Sequence, residues 1–255
     1  MTGAPGAVAL APDGPAAVAF TTREGGVSAG PWAGLNLGAV TGDRPEAVRA
    51  NRAAVCAALG LHAERVSMAR QVHGAGVLAL SVPSRPGRFT GALRGWPEGD
   101  VLITRRPRLP LVVLGADCLP VLLWRRDEPA IAAAHAGWRG LVAGAVEAAV
   151  AALGRPDRVG AAIGAGVGAC CYPVSAEVRD RFASAFGEAT VRPPAVDLAA
   201  AARAALRRAG VPAGAVSAVE ACTACDAARW FSHRRDGARS GRQAGVVWAL
   251  PGESA

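Results

Sequence analysis

The chain has 255 residues, of which 51% are hydrophobic and 19% charged, so it can bury a sizeable core and is not a disordered chain. Its formal net charge of +8 comes from 28 basic residues, all of them arginine. Without lysine, a conventional pyridoxal phosphate enzyme and a P-loop nucleotide hydrolase are both excluded.

The segment Met1 to Leu10 lacks the basic-then-apolar order of a secretory signal. The strongest apolar run, Leu111 to Trp124, is too short to span a bilayer and carries Asp117 at its middle. Six cysteines in a chain of this length do not make a secreted disulfide scaffold. These features predict a soluble, cytoplasmic protein with no membrane partner. The arginine clusters Arg105-Arg106 with Arg108 and Arg125-Arg126 have no interleaved aromatics and read as solvated loop charges, so no nucleic-acid partner is expected.

In chain order, Pro12-Asp13-Gly14-Pro15 predicts a turn and Ala17 to Phe20 a short strand, followed by a glycine-rich turn at Arg23-Glu24-Gly25-Gly26. A helix is predicted from Asp43 and Pro45 to about Leu59, where Gly60 ends it. Val77 to Val82 reads as a strand and residues 83–99 as a loop rich in proline and glycine. Further strands are predicted at Val101–Ile103, Leu111–Leu114, Leu119–Trp124 and Ala130–Ala134. A buried helix follows from Leu141 to Leu153, then a strand from Val159 to Ile163. Ser175 and Asp197 predict the caps of two more helices, the second ending at Gly210. Ala215–Val219 and Gly245–Leu250 are late strands. Strands and helices mix without strict alternation, which predicts an α+β fold. No linker divides the chain, so a single domain over 1–255 is expected.

Three short segments each stand beside a strand-like run: Gln71-Val72-His73-Gly74, Ala116-Asp117-Cys118 and Ala134-His135-Ala136-Gly137-Trp138-Arg139-Gly140. Two imidazoles and a thiolate suit zinc, and three protein ligands leave a fourth position open, as catalytic sites require. The residue types alone also admit a simpler reading, with His135 a hydrogen-bonded histidine at a strand end and Cys118 a small buried residue. Asp117 is placed to orient a ligand imidazole or to accept a proton, or is a turn carboxylate.

Further segments occur in order with these three: Thr21-Thr22-Arg23-Glu24-Gly25-Gly26-Val27-Ser28, Leu35-Asn36-Leu37-Gly38, Gly168-Ala169-Cys170-Cys171-Tyr172, Phe231-Ser232-His233-Arg234-Arg235-Asp236-Gly237 and Gly241-Arg242-Gln243-Ala244. Together they resemble the bacterial family once called multicopper polyphenol oxidoreductases or laccases and now treated as purine nucleoside phosphorylases. The resemblance covers about residues 18 to 250. It implies a zinc site with His73, Cys118 and His135 as ligands, in a layered α/β/β/α sandwich with mixed sheets, similar to the deamidating necrotizing-factor toxins. It also implies phosphorolysis of adenosine, inosine and methylthioadenosine, with adenosine deamination at the same site. Some relatives are described instead as peptidoglycan editing factors. That alternative is a hydrolase of cell-wall precursors with Cys118 as nucleophile.

Copper oxidase chemistry fails on counting. A multicopper oxidase needs a blue-copper site and a trinuclear cluster, and the chain has only His62, His73, His135 and His233. For phosphorolysis, Arg23 and Arg139 are the expected phosphate holders, aided by the start of the helix after Gly140, and Asn36 is expected to bond ribose or base; the alternative is a structured turn for Arg23 and Asn36 and a surface salt bridge for Arg139. Cys118 and Asp117 are the expected catalytic residues. Cys222-Thr223-Ala224-Cys225 has no second CxxC, so its cysteines read as packed or loop residues, and Cys170-Cys171 as a turn near the site.

Overall fold

The computed structural model describes residues 6–10, 13–83, 89–90 and 95–250. The first half contains β1 (Ala7–Leu10), β2 (Ala16–Thr21), α1 (Pro45–Ala58), β3 (Val77–Leu80), β4 (Val101–Thr104), β5 (Leu111–Gly115) and β6 (Leu119–Arg125). The second half contains β7 (Ile131–Ala136), α2 (Trp138–Val142), α3 (Ala145–Leu153), β8 (Val159–Ile163), α4 (Ala176–Phe186), β9 (Val191–Arg192), β10 (Ala195–Val196), α5 (Leu198–Arg208), β11 (Val216–Ala218), α6 (His233–Asp236) and β12 (Gln243–Ala249).

Alternation along β6 accounts for the layering. All seven of its residues are buried. Leu119, Val121 and Leu123 point to one apolar cluster, and Leu122 and Trp124 to another. A strand covered on both faces reads as an unbroken apolar run, which is how this segment stands out in the sequence. β6 sits inside a six-stranded mixed sheet of order β11-β8-β6-β7-β4-β3, with parallel pairs at both edges. One face of that sheet packs on α2, α3, α4 and α5 through residues such as Leu141, Val146, Phe182 and Leu206. The other face meets a four-stranded antiparallel sheet of order β1-β2-β12-β5, through Phe20, Val113 and Val247. The outer face of the smaller sheet carries Val112 and Val246 against Val55 and Cys56 of α1. The result is the expected α/β/β/α sandwich. A fully buried leucine such as Leu122 contributes about 2 kcal/mol to this packing.

Several local expectations need correction. The helix predicted over Leu141–Leu153 is two helices, because Gly144 takes φ +86° and breaks the ladder between α2 and α3. The first of them begins at Trp138, so Gly140 lies inside it rather than before it. Ser175 stands at the start of α4 but makes no side-chain cap, whereas Asp197 caps α5 by accepting the Ala200 amide at 2.9 Å. Strand β1 and the β9–β10 pair are too short and irregular in pattern to be read from the sequence. Pro12 of the early turn and much of the 83–99 loop lie outside the described residues. Arg105, Arg125 and Arg126 pair with Glu128, Asp127 and Asp13, so these three are neutralised rather than presented as a basic patch. Among the described residues no helix is long and apolar enough to cross a membrane.

Candidate metal centre and active-site cleft

Three separate elements deliver the predicted ligands to one place. Cys118 ends a tight turn that carries the chain from β5 in the smaller sheet to β6 in the larger. His135 lies near the end of β7, registered against Pro120 on β6. His73 comes from the loop before β3. One ligand atom from each of His73, Cys118 and His135 falls within 4.8 Å of the others, a group that can hold a metal ion. The two imidazoles meet edge-on, with ring centroids 4.9 Å apart.

The residue that organises this triangle is Asp100, which the motif reading missed. Its carboxylate accepts the amides of Val72, His73 and Gly74 at 3.1, 2.9 and 2.8 Å. The same carboxylate meets His135 Nδ1 at 2.8 Å, and the Asp100 carbonyl accepts the His135 amide at 2.8 Å. His73 sits at φ +63°, and the three converging amide bonds hold that unfavourable backbone in place. With Nδ1 engaged, Nε2 of His135 is left to face the sulfur, the usual arrangement of a metal-ligating histidine. Asp100 is fully buried directly before β4, and its position in a Glu-Gly-Asp run gave no signal of this role.

Gly137 makes room for the sulfur. A Cβ at that position would lie 2.6 Å from Cys118 Sγ and 3.5 Å from the His73 ring. Electrostatics prepare the same atoms. Burial disfavours the Cys118 thiolate, but the charge and hydrogen bonds of His135 and His73 outweigh it and bring the thiol down to about 6. Burial likewise disfavours charge on His135, yet Cys118 and Asp100 push it up to about 9. The pocket thus favours thiolate against cation, the balance that a bound divalent metal would satisfy in place of a proton.

The triangle opens into a cleft of about 1040 Å³, at the upper end for small-molecule sites. Its wall includes Gln71, Trp138, Arg139, Tyr172, His233, Arg234 and Arg242. Arg139 is exposed in the first turn of α2, its guanidinium over the Trp138 ring at 4.4 Å, with no protein acceptor among the described residues. Arg234 lies over the Tyr172 ring at 4.9 Å. Burial lowers the Arg242 pKa, and the guanidinium is held on the Ser240 and Gly241 carbonyls at 2.6 and 2.8 Å.

Two expected substrate residues are elsewhere. Arg23 does not line the cleft. Its guanidinium is committed to the carbonyls of Ala33 and Ala227, both at 3.0 Å, and stacks on Phe231. Asn36 is fully buried and spends its amide on Thr41, Asp43 and the amides of Gly38 and Arg242. It shapes the Gly38–Thr41 wall of the cleft without reaching into it. Asp117 does line the cleft, but the carboxylate that meets the imidazole is Asp100. Asp117 adopts φ +86° and accepts Thr223 Oγ1 at 2.6 Å and the Arg234 amide at 2.5 Å, so it fixes the turn that carries Cys118.

Apart from Cys56, buried in α1, the remaining cysteines are not independent loop residues. Cys170 and Cys171 meet Cys222 and Cys225, and the four sulfurs lie within 4.8 Å of one another. The vicinal pair is the partner that the CxxC lacked in sequence. Of the other two histidines, His62 is exposed beside Glu64, and His233 lines the cleft outside the metal triangle.

Comparison with known proteins matches residues 17–250 to the family described as multi-copper polyphenol oxidoreductase laccase. A Streptomyces coelicolor protein named purine nucleoside phosphorylase is 43% identical over 239 residues, spanning 90% of this chain and 93% of that protein. Escherichia coli YfiH, also named purine nucleoside phosphorylase, is 35% identical over 92% of this chain and 94% of its own length. The crystal structure of YlmD from Geobacillus stearothermophilus superposes with a TM-score of 0.85 at 31% identity, covering 95% of this chain and 94% of that one.

Proposed function

The chain belongs to the multi-copper polyphenol oxidoreductase laccase family, and from that membership we propose that it is a zinc-dependent purine nucleoside phosphorylase with adenosine deaminase activity at the same site. The observation that carries the proposal is the convergence of His73, Cys118 and His135 at the floor of a cleft walled by arginine and aromatic side chains. The names of the relatives support the phosphorylase part.

The donor set fits zinc. Two imidazoles and one thiolate are a borderline-soft trio, Asp100 supports one imidazole from behind, and Gly137 leaves space beside the sulfur. When bound, zinc supplies Lewis-acid activation of an oxygen at neutral pH. The remaining work falls to the chain. Arg139, stacked on Trp138 but with no hydrogen-bond acceptor among the described residues, lines the cleft with a guanidinium suited to bidentate contact with phosphate. Trp138 and Tyr172 line the cleft, each with one ring face covered by an arginine, and offer their remaining surface to a purine. In phosphorolysis a phosphate oxygen bonds to C1′ while the C1′–N9 bond breaks and its electron pair leaves with the purine, which takes up a proton. In deamination, water adds at C6 of adenine and ammonia leaves. Asp117 acts through the turn it holds, as a positioning residue for Cys118.

One observation favours the second reading, hydrolysis of peptidoglycan precursors. Cys118, His135 and Asp100 stand in line, the order of a thiol nucleophile, its base and the orienting carboxylate. His73 has no part in that arrangement, and its approach to the same sulfur favours a ligand role for Cys118.

The test is chromatographic product analysis of metal-quantified protein with adenosine, inosine and methylthioadenosine, with and without phosphate, beside a His135→Ala control. The expected outcome is phosphate-dependent release of free base with ribose 1-phosphate, lost in the control. Intact nucleosides despite stoichiometric zinc would overturn the proposal in favour of precursor hydrolysis.

A further inference from the structure

We infer that Cys170, Cys171, Cys222 and Cys225 form a second, tetrathiolate metal site that takes zinc and clamps one wall of the cleft. The four sulfurs lie within 4.8 Å of one another. A tetrahedral ion with metal–sulfur bonds of about 2.3 Å sets its sulfurs about 3.8 Å apart, so small shifts bring these four onto one ion. All-sulfur, four-coordinate ligation leaves no open position and is the pattern of a structural centre.

The surroundings favour a metal over a disulfide. Cys225 Sγ stands 3.5 Å from Cys170 Sγ and 3.4 Å from Cys171 Sγ, so the geometry selects neither as a bonding partner. A disulfide joins two sulfurs at about 2.05 Å and would exclude the third. Cys222 Sγ accepts the Gly168 amide at 3.2 Å and the amides of Ala224 and Cys225 in its own turn. Backbone donors gathered on one sulfur stabilise the thiolate that a metal requires.

The clamp joins two segments about 50 residues apart, and each also builds the cleft. Tyr172, next to Cys171, lines it. Thr223, inside the CxxC turn, donates to Asp117 beside Cys118. Between them run one isolated bridge at Gly166–Cys222 and the Thr223 amide on the Gly166 carbonyl. An ion at the four sulfurs fixes this junction and through it the strained Asp117 turn. The inference does not depend on the reaction proposed above.

The experiment is metal quantification on full-length protein purified without oxygen and with zinc supplied. Two equivalents of zinc per chain are expected, with one retained in a His73→Ala/His135→Ala variant and one in a Cys222→Ser/Cys225→Ser variant. Cobalt substitution of the histidine variant, which keeps all four cysteines, should give thiolate-to-cobalt absorption of a four-sulfur tetrahedral site. One equivalent in the unaltered protein whose cobalt form lacks four-thiolate absorption, or a disulfide within the cluster on intact mass analysis, overturns the inference. The unaltered-protein measurement decides even where a variant fails to fold.

Discussion

Asp100 and His135 are joined twice, side chain to side chain at 2.8 Å and backbone to backbone at 2.8 Å. The same carboxylate gathers the His73 loop, so one buried aspartate sets the orientation of two of the three expected ligands. An Asp100→Asn change presents an amide N–H₂ where acceptors are needed. It should weaken metal binding by about 10- to 100-fold, measured by competition with a chromophoric chelator. Unchanged affinity in a folded protein would show that the three ligands orient themselves.

Gly137 offers a purely steric test. Its φ of −76° suits alanine, so Gly137→Ala carries no backbone strain. The added methyl would meet Cys118 Sγ at 2.6 Å. The expected result is loss of metal from the histidine–cysteine centre with little change in the unfolding midpoint. Metal content and a thermal melt on the same sample decide it.

Arg139 and Arg23 should separate cleanly. Arg139→Ala removes a charge-assisted contact worth about 1.5–3 kcal/mol, so the KM for phosphate should rise at least about tenfold. Lysine at this position should restore only part of that, because it lacks the planar fork. Arg23→Ala should leave the phosphate KM within about twofold, since its guanidinium is committed to Ala33 and Ala227. Steady-state kinetics over a phosphate series checks both variants.

Asn36→Ala should act on stability. It strands a buried set of donors and acceptors around Thr41, Asp43, Gly38 and the Arg242 amide. A loss of about 3 kcal/mol is expected in denaturant unfolding. A variant of unaltered stability with impaired nucleoside binding would return Asn36 to the substrate site.

Much of the molecule was legible before any coordinates. The apolar runs of β5, β6, β7 and β8 announced themselves because a strand buried on both faces is almost wholly apolar, and the two charged or polar exceptions, Arg125 and His135, are paired with Asp127 and Asp100. That His73, Cys118 and His135 could converge was legible because few side chains bind metals and each stood beside such a run. Arg23 and Asn36 bond to neighbouring groups of the chain, which the sequence could not foretell, because a guanidinium or an amide in a turn has the same letters whether it faces a ligand or a neighbouring carbonyl.

What the sequence determined by itself was local: which segments are apolar on one face or two, roughly where helices begin, and which side chains carry metal-binding chemistry. The tertiary structure alone decided which of those side chains meet. Asp100 reaches the His73 loop because β3 pairs with β4, and it reaches His135 because β4 pairs with β7. Cys170 and Cys171 meet Cys222 and Cys225 because β8 and β11 run parallel and end side by side. Contacts of this kind depend on strand order and register, which are fixed by burial across two sheets at once and leave no periodicity in the chain for a reader to count.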